Sequence, residues 1–293
     1  MKKGTSRYIF EIVNYLFMIG MCVVMLYPFL FVLAASLSSS SEVSRGMVGI
    51  IPKGFNIRAY EAVFKYEHIW TGYRNTILYT TCGTIVNLAL TICGAYPLSR
   101  KQFVGRSAFT FFIAVTMFFS GGLIPTYLVM RHYKLLNTFW VMILPGAIST
   151  WNMIIMRTFF QNLPSELEES AIIDGCNDLG VLMRIVIPLS TASIMTIGMF
   201  YAVGHWNAWF DAFIYLRDHT RYPIQLWLRT IVLQNQMNDI TNLQGAVDVG
   251  VENLISDTIK YAVIVVAAAP ILCVYPFIQK YFVKGVMVGS IKG

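Results

Sequence analysis

Glu166, Glu168, Glu169 and Asp174 crowd into the stretch SELEESAIIDG, residues 165–175, which closes on Gly175. Carboxylates at this density can serve as acid and base, ligate a metal, or present a charged face to a partner. The first two uses need companions that the chain does not supply nearby. His68, His132, His205 and His219 lie far apart, with no HExxH and no paired DxxD. The five cysteines (Cys22, Cys82, Cys93, Cys176 and Cys273) are scattered, form no CxxC pair, and read as small hydrophobes. No GxxxxGK[ST] is present, so the chain is not its own ATPase. A charged docking face is the remaining chemistry.

The local pattern says how that face is built. Ser165 with Glu168 three residues on predicts a capping box, and acids in the first turn suit the positive end of a helix. Asp174-Gly175 predicts the stop, because glycine accepts the left-handed conformation that a helix end uses. A second helix is expected from about Asn177, with Leu179, Leu182, Met183 and Val186 as an apolar stripe that Val181 and Ile185 widen. Pro188 marks its end. Such an elbow can lie on lipid headgroups or fill a groove on a soluble partner.

The rest of the chain is a different medium. Of 293 residues 56% are hydrophobic and 13% charged, about half the charge a water-soluble domain carries. Mean hydropathy is +0.61. The net charge of +7 forms no basic stripe of the kind nucleic acid requires. A helix needs about 20 apolar residues to cross a bilayer. Stretches nearly free of Asp, Glu, Lys and Arg predict six spans, at about 12–37, 73–98, 107–130, 136–156, 188–211 and 259–279, in one domain covering 1–293. The first is too long for a cleavable signal. Short basic flanks (MKKGTSR, SRKQFVGR, QKYFVKG) place both termini in the cytoplasm, together with a loop at 164–188. Pro28, Pro97, Pro125, Pro145 and Pro270 fall in or beside spans, where each permits a kink. The spans carry almost no ionisable residues, which argues against an ion-coupled transporter.

EESAIIDGCNDLGVLMRIVIP resembles the EAA loop of ABC importer permeases, through Glu169, Ser170, Ala171, Gly175, Ile185, Ile187 and Pro188. Ser170 and Ile187 depart from the usual Ala and Leu. PKGFNIRAY, WNAWFDAFIYL and the Gly-rich tail resemble the carbohydrate-importing, maltose-type branch, and within it the part that takes complex oligosaccharides from a lipoprotein-type binding protein. The resemblance implies an all-α type I importer fold with six transmembrane helices and a cytoplasmic coupling helix. It implies that the coupling set comprises Glu168, Glu169, Ser170, Ala171, Asp174, Gly175, Leu179, Leu182, Ile185 and Pro188. The implied partners are a second homologous permease, two ATPase subunits that use ATP and Mg, and an extracellular sugar-binding protein. No cofactor or metal is expected on this chain.

His205, Trp206, Asn207 and Trp209, with Arg74 and Asn75, are candidates for the sugar pathway. Flat indole faces suit the CH faces of sugars, and an amide suits hydroxyls. An aromatic belt at the membrane boundary explains the tryptophans equally well. Arg74 or Lys65 would favour an anionic oligosaccharide. QNQMNDITNLQGAVDVG in the last outer loop is a candidate contact for the binding protein.

Overall fold

The computed structural model describes residues 5–233, 258–274 and 276, and these are helical with no β-strand. They form two compact units. One comprises residues up to Ile69 with Leu228–Ala269; the other comprises Trp70–Trp227 and the residues from Pro270 onward.

The first unit contains α1 (Thr5–Ser36), α2 (Ser40–Ser44), α3 (Arg58–Lys65) and most of α13 (Thr258–Val274). The apolar window of α1 has a mean hydropathy of 2.5 and no buried residue, a surface made for lipid or a neighbouring chain. Its C-terminal end is tied down. Ser36 Oγ donates to Leu33 O and lies 2.7 Å from Tyr60 Oη, and Ser38 Oγ accepts from Lys53 N. Phe31 meets Tyr261 of α13 edge-on, and Ser40 Oγ lies 3.0 Å from Thr258 Oγ1.

The second unit is organised around α4 (Glu67–Ser99), whose 33 residues make it, with α1, one of two unbent helices among the described residues long and apolar enough to cross a membrane. Around it stand α5 (Arg106–Val115), α6 (Leu123–His132), α7 (Thr150–Gln161), α8 (Ser165–Ile173), α9 (Asp178–Leu189), α10 (Thr191–Trp206), α11 (Phe210–Tyr215) and the start of α12 (Ile224–Leu233).

Several expected spans are not single helices. The segment 107–130 breaks between α5 and α6, where Gly122 takes a φ of +81°. The segment 136–156 opens on Asn137 with a φ of +57°, passes through a 3₁₀ turn at Phe139–Met142, and becomes α-helical at Thr150. The segment 188–211 bends by 83° between α9 and α10 and stops at Trp206. Hydropathy registers which residues oil tolerates; it does not register where the backbone must turn. The expected 259–279 is described as helix over Thr258–Val274. The tail QKYFVKGVMVGSIKG and the stretch QNQMNDITNLQGAVDVG lie outside the described residues.

Tyr201 joins three elements of this unit. Its hydroxyl lies 2.7 Å from Thr91 Oγ1 of α4 and accepts from Ser149 N at the start of α7. At the elbow, α8 ends as expected at Asp174-Gly175. Gly175 has a φ of +84°, its N–H donates to Ile172 O, and Cys176 N–H donates to Ala171 O. That pair of bonds is the Schellman arrangement. The start of α8 differs from expectation. Pro164 occupies the cap position, Ser165 is already helical, and no side chain caps the end. Glu168 is engaged elsewhere.

An alanine at 175 would have to adopt the left-handed conformation, at a cost of about 1 kcal/mol or more. Gly175→Ala should therefore raise hydrogen exchange of the elbow amides at 174–176 by about fivefold, without changing exchange in α10. Equal protection in both proteins would show that the turn does not hold the elbow.

Candidate functional site

The elbow is seated by burial. Ala171, Val181, Leu182 and Val186 pack with Ala95 and Leu98 of α4, Met153, Met156 and Phe160 of α7, and Ile197 and Tyr201 of α10. Phe160, Met156, Val186 and Ile197 are wholly buried. Asn177 Oδ1 accepts from Gly180 N and caps α9, and residues 182–186 form a π turn. Removing apolar side chains of this size from water contributes about 1.5–3 kcal/mol each. The elbow is thus part of the unit's core.

An ion pair adds direction to this packing. Arg100 Nη1 donates to Glu168 Oε1, and the two side chains are 20% and 13% exposed. The guanidinium also lies over the Tyr96 ring, 4.6 Å from its centroid. A cavity of about 480 Å³ opens beside the pair, lined by Tyr96, Pro97, Phe103 and Asp178 among others. Arg100 Nε and Nη2 are buried there without a hydrogen-bond partner among the described residues. A second anchor lies nearby, where Arg157 Nε donates to Leu98 O at 3.0 Å.

The expected coupling set therefore separates by environment. Ala171 and Leu182 are buried in their own chain, Ile185 is half-buried against the same core, and Glu168 serves Arg100. Glu169, Ser170, Asp174, Gly175, Leu179 and Pro188 are exposed. Ile173 (85% exposed), Leu179 (65%) and Met183 (58%) form an apolar outer surface beside Glu169. The predicted stripe thus divides: Leu182 and Val186 face inward, Leu179 and Met183 outward. Arg100 was invisible as a site residue, because SRKQFVGR read only as a charge marking membrane orientation.

The six candidate sugar contacts have different environments. His205 Nε2 lies 3.1 Å from Nδ2 of the buried Asn87 of α4. Gly83 makes room for this pair, since a Cβ there would run into the imidazole. Trp206 is buried and Trp209 is half-buried, edge-on to Phe210. Asn207 is exposed and donates to Val203 O at 2.9 Å, closing its own helix. Asn75 is a structural clamp that donates to Thr220 O and Tyr222 O, whereas its neighbour Arg74 is exposed. Asn87, Thr91 and Tyr201 were missed because a search for charges passes over neutral polar groups in a span.

A bundle of interrupted apolar helices, with a polar-capped elbow packed into its core, defines the class of integral-membrane permeases. The chain belongs to the family described as the binding-protein-dependent transport system inner membrane component, whose model matches residues 69–288. It is 44% identical over 287 residues to the polygalacturonan/rhamnogalacturonan transport system permease protein YtcP of Bacillus subtilis (strain 168), covering 97% of this chain and 99% of that one. It is 24% identical to the arabinooligosaccharides transport system permease protein AraQ of Halalkalibacterium halodurans, covering the whole of both. Among solved structures it is similar to a chain of a bacterial ABC transporter involved in the import of the acidic polysaccharide alginate. That match has a TM-score of 0.85 and 33% identity, with 96% of this chain and 99% of that chain covered. The protein is a transmembrane permease subunit of a carbohydrate ABC importer with the type I fold. Its family comprises non-catalytic membrane components.

Glutamine at either end of the ion pair leaves the other charge partly buried and unmatched, at about 2 kcal/mol. Arg100→Gln and Glu168→Gln should each lower the thermal midpoint of the purified complex by a few degrees. The double variant should lose clearly less than the sum. Additive losses would mean that the two residues stabilise the elbow independently.

Proposed function

We propose that this permease moves an oligosaccharide, received from an extracellular binding protein, by alternating access driven from its elbow. The observation that carries this reading is the burial of α8 and α9 in a core shared with α4, α7 and α10. A lever must resist bending at its root, and this one is fixed by side-chain packing, a Schellman turn and an ion pair. Glu169 and the apolar surface of Ile173, Leu179 and Met183 dock in a cleft on an ATP-hydrolysing subunit. Closure of two such subunits, fuelled by ATP and Mg, drives two elbows together, and the helix ends seated on them follow. The second elbow comes from a homologous permease that completes the pathway. The elbow and both termini lie on the cytoplasmic side. The substrate class is supported by the similar permeases, which are named for the transport of polygalacturonan/rhamnogalacturonan and of arabinooligosaccharides.

Glu169→Lys places a cation where a carboxylate meets the ATPase. In proteoliposomes carrying the full importer, it should cut binding-protein-dependent oligosaccharide uptake at least tenfold, either by preventing co-purification of the ATPase or by leaving hydrolysis running without transport. Uptake at the wild-type rate would remove Glu169 from the coupling contact.

A further inference from the structure

Charge is distributed unusually at the end of α4 away from the elbow. Thr76 and Ser99 are 23 residues apart on one helix, or about 35 Å, which exceeds the roughly 30 Å of bilayer hydrocarbon. With the elbow in the cytoplasm, the segments contacting Thr76 face outward. Short outward segments are normally poor in Lys and Arg. Here the segments at this end carry Arg74, Arg131, Lys134, Arg217 and Arg221, against the carboxylates of Asp218, of Asp211 near Tyr215 and of Glu67 in the first turn of α4.

The cations stand on a rigid frame. Asn137, in the left-handed conformation, accepts at Oδ1 from Arg217 N and Asp218 N, donates its own N–H to Tyr215 O, and accepts at its carbonyl from Arg221 Nη1. Asn75 donates to Thr220 O and Tyr222 O, Tyr79 Oη donates to Arg221 O, and Thr76 Oγ1 accepts from Ile224 N. These bonds bring the end of α4, the turn after α6 and the loop 216–224 into one rim.

Asp218 does not neutralise it. Its carboxyl is held below the usual range, chiefly by hydrogen bonds from Thr220 Oγ1 and N, and it faces Arg221. Arg74, Arg131, Lys134 and Arg217 are exposed and form no ion pair among the described residues.

We propose that this rim is a receiving site for the carboxylates of an acidic oligosaccharide, which it draws to the outer mouth before translocation. The proposal rests on the oligosaccharide reading above and adds the substrate's charge and where that charge is met. Several fixed, unpaired cations beside a low-dielectric wall attract the carboxylates of a sugar that the binding protein releases at the mouth, and salt weakens the effect.

The test uses the complete importer in proteoliposomes, with its binding protein, and labelled trisaccharides of galacturonate, mannuronate, glucose and arabinose. Wild type should take up an acidic trisaccharide faster at 50 than at 500 mM NaCl. R131Q/K134Q/R217Q should reduce that uptake about tenfold at low salt and converge on wild type at high salt. R131K/R217K, which keeps the charges, should behave as wild type and so separates charge from folding. Wild-type uptake of neutral but not acidic trisaccharides overturns the inference and leaves the oligosaccharide reading in place; uptake of neither class counts against that reading itself. Unchanged acidic uptake by the glutamine variant also overturns the inference. So does a matching rise in the concentration of sugar-free binding protein needed for half-maximal ATP hydrolysis, which would make the rim a protein-docking surface.

Discussion

A lever works only if its root is stiffer than its load. In the coupling proposed above the root is the contact between the α8–α9 elbow and the core, where Ala171, Val181, Leu182 and Val186 pack with Leu98, Met156, Phe160 and Ile197. Close-packed side chains resist displacement, because opening even a small gap forfeits dispersion contacts on every face. The Arg100–Glu168 pair supplements that packing with a direction. Such a pair incurs desolvation, and its net contribution to stability can be small. Its value to a lever is geometric. A guanidinium held over Tyr96 and bonded to Glu168 fixes the rotation of α8 about its axis in a way that apolar contacts alone do not.

Farther into the bundle the contacts change character. α4 meets α10 through Asn87 and His205, and through Thr91 and Tyr201. Hydrogen bonds of this kind between membrane helices contribute about 1 kcal/mol each. Separating an ion pair in the same medium would cost several times more. Neutral partners therefore hold α4 to α10 less firmly than the ion pair holds the elbow. Gly83 belongs to the same logic: without a side chain it lets α4 approach the His205 ring closely.

Local backbone chemistry was readable from the sequence; long-range partnership was not. Gly175 announced its turn, because few other residues adopt that conformation cheaply. Ser165 misled because Pro164 had already redirected the chain, and Glu168 was drawn away by a residue 68 positions earlier. Asn75 and Asn207, both candidates for sugar, donate to main-chain carbonyls that their residue type did not announce, one set 145 residues distant and the other a single turn back. The apolar runs at 107–130 and 136–156 showed that the chain lies in an apolar medium. They did not show that Gly122 and Asn137 interrupt the helices.

One helix connects these features. α4 holds the loop 216–224 through Asn75, Thr76 and Tyr79, and the elbow core through Leu98 and, one residue past its end, Arg100. Its rigidity is not uniform. Pro97 lies within the helix, supplies no backbone donor, and sits one residue before the buried Leu98 and three before Arg100. The missing bond weakens the last turn against bending, whereas residues 76–96 have no proline. In the coupling proposed above, a displacement of the elbow first swings the terminal turn of α4 about Pro97, and what the turn does not absorb passes along a proline-free helix to the loop 216–224. Under that proposal the position of a single imino acid sets how much elbow travel is taken up locally and how much is passed on.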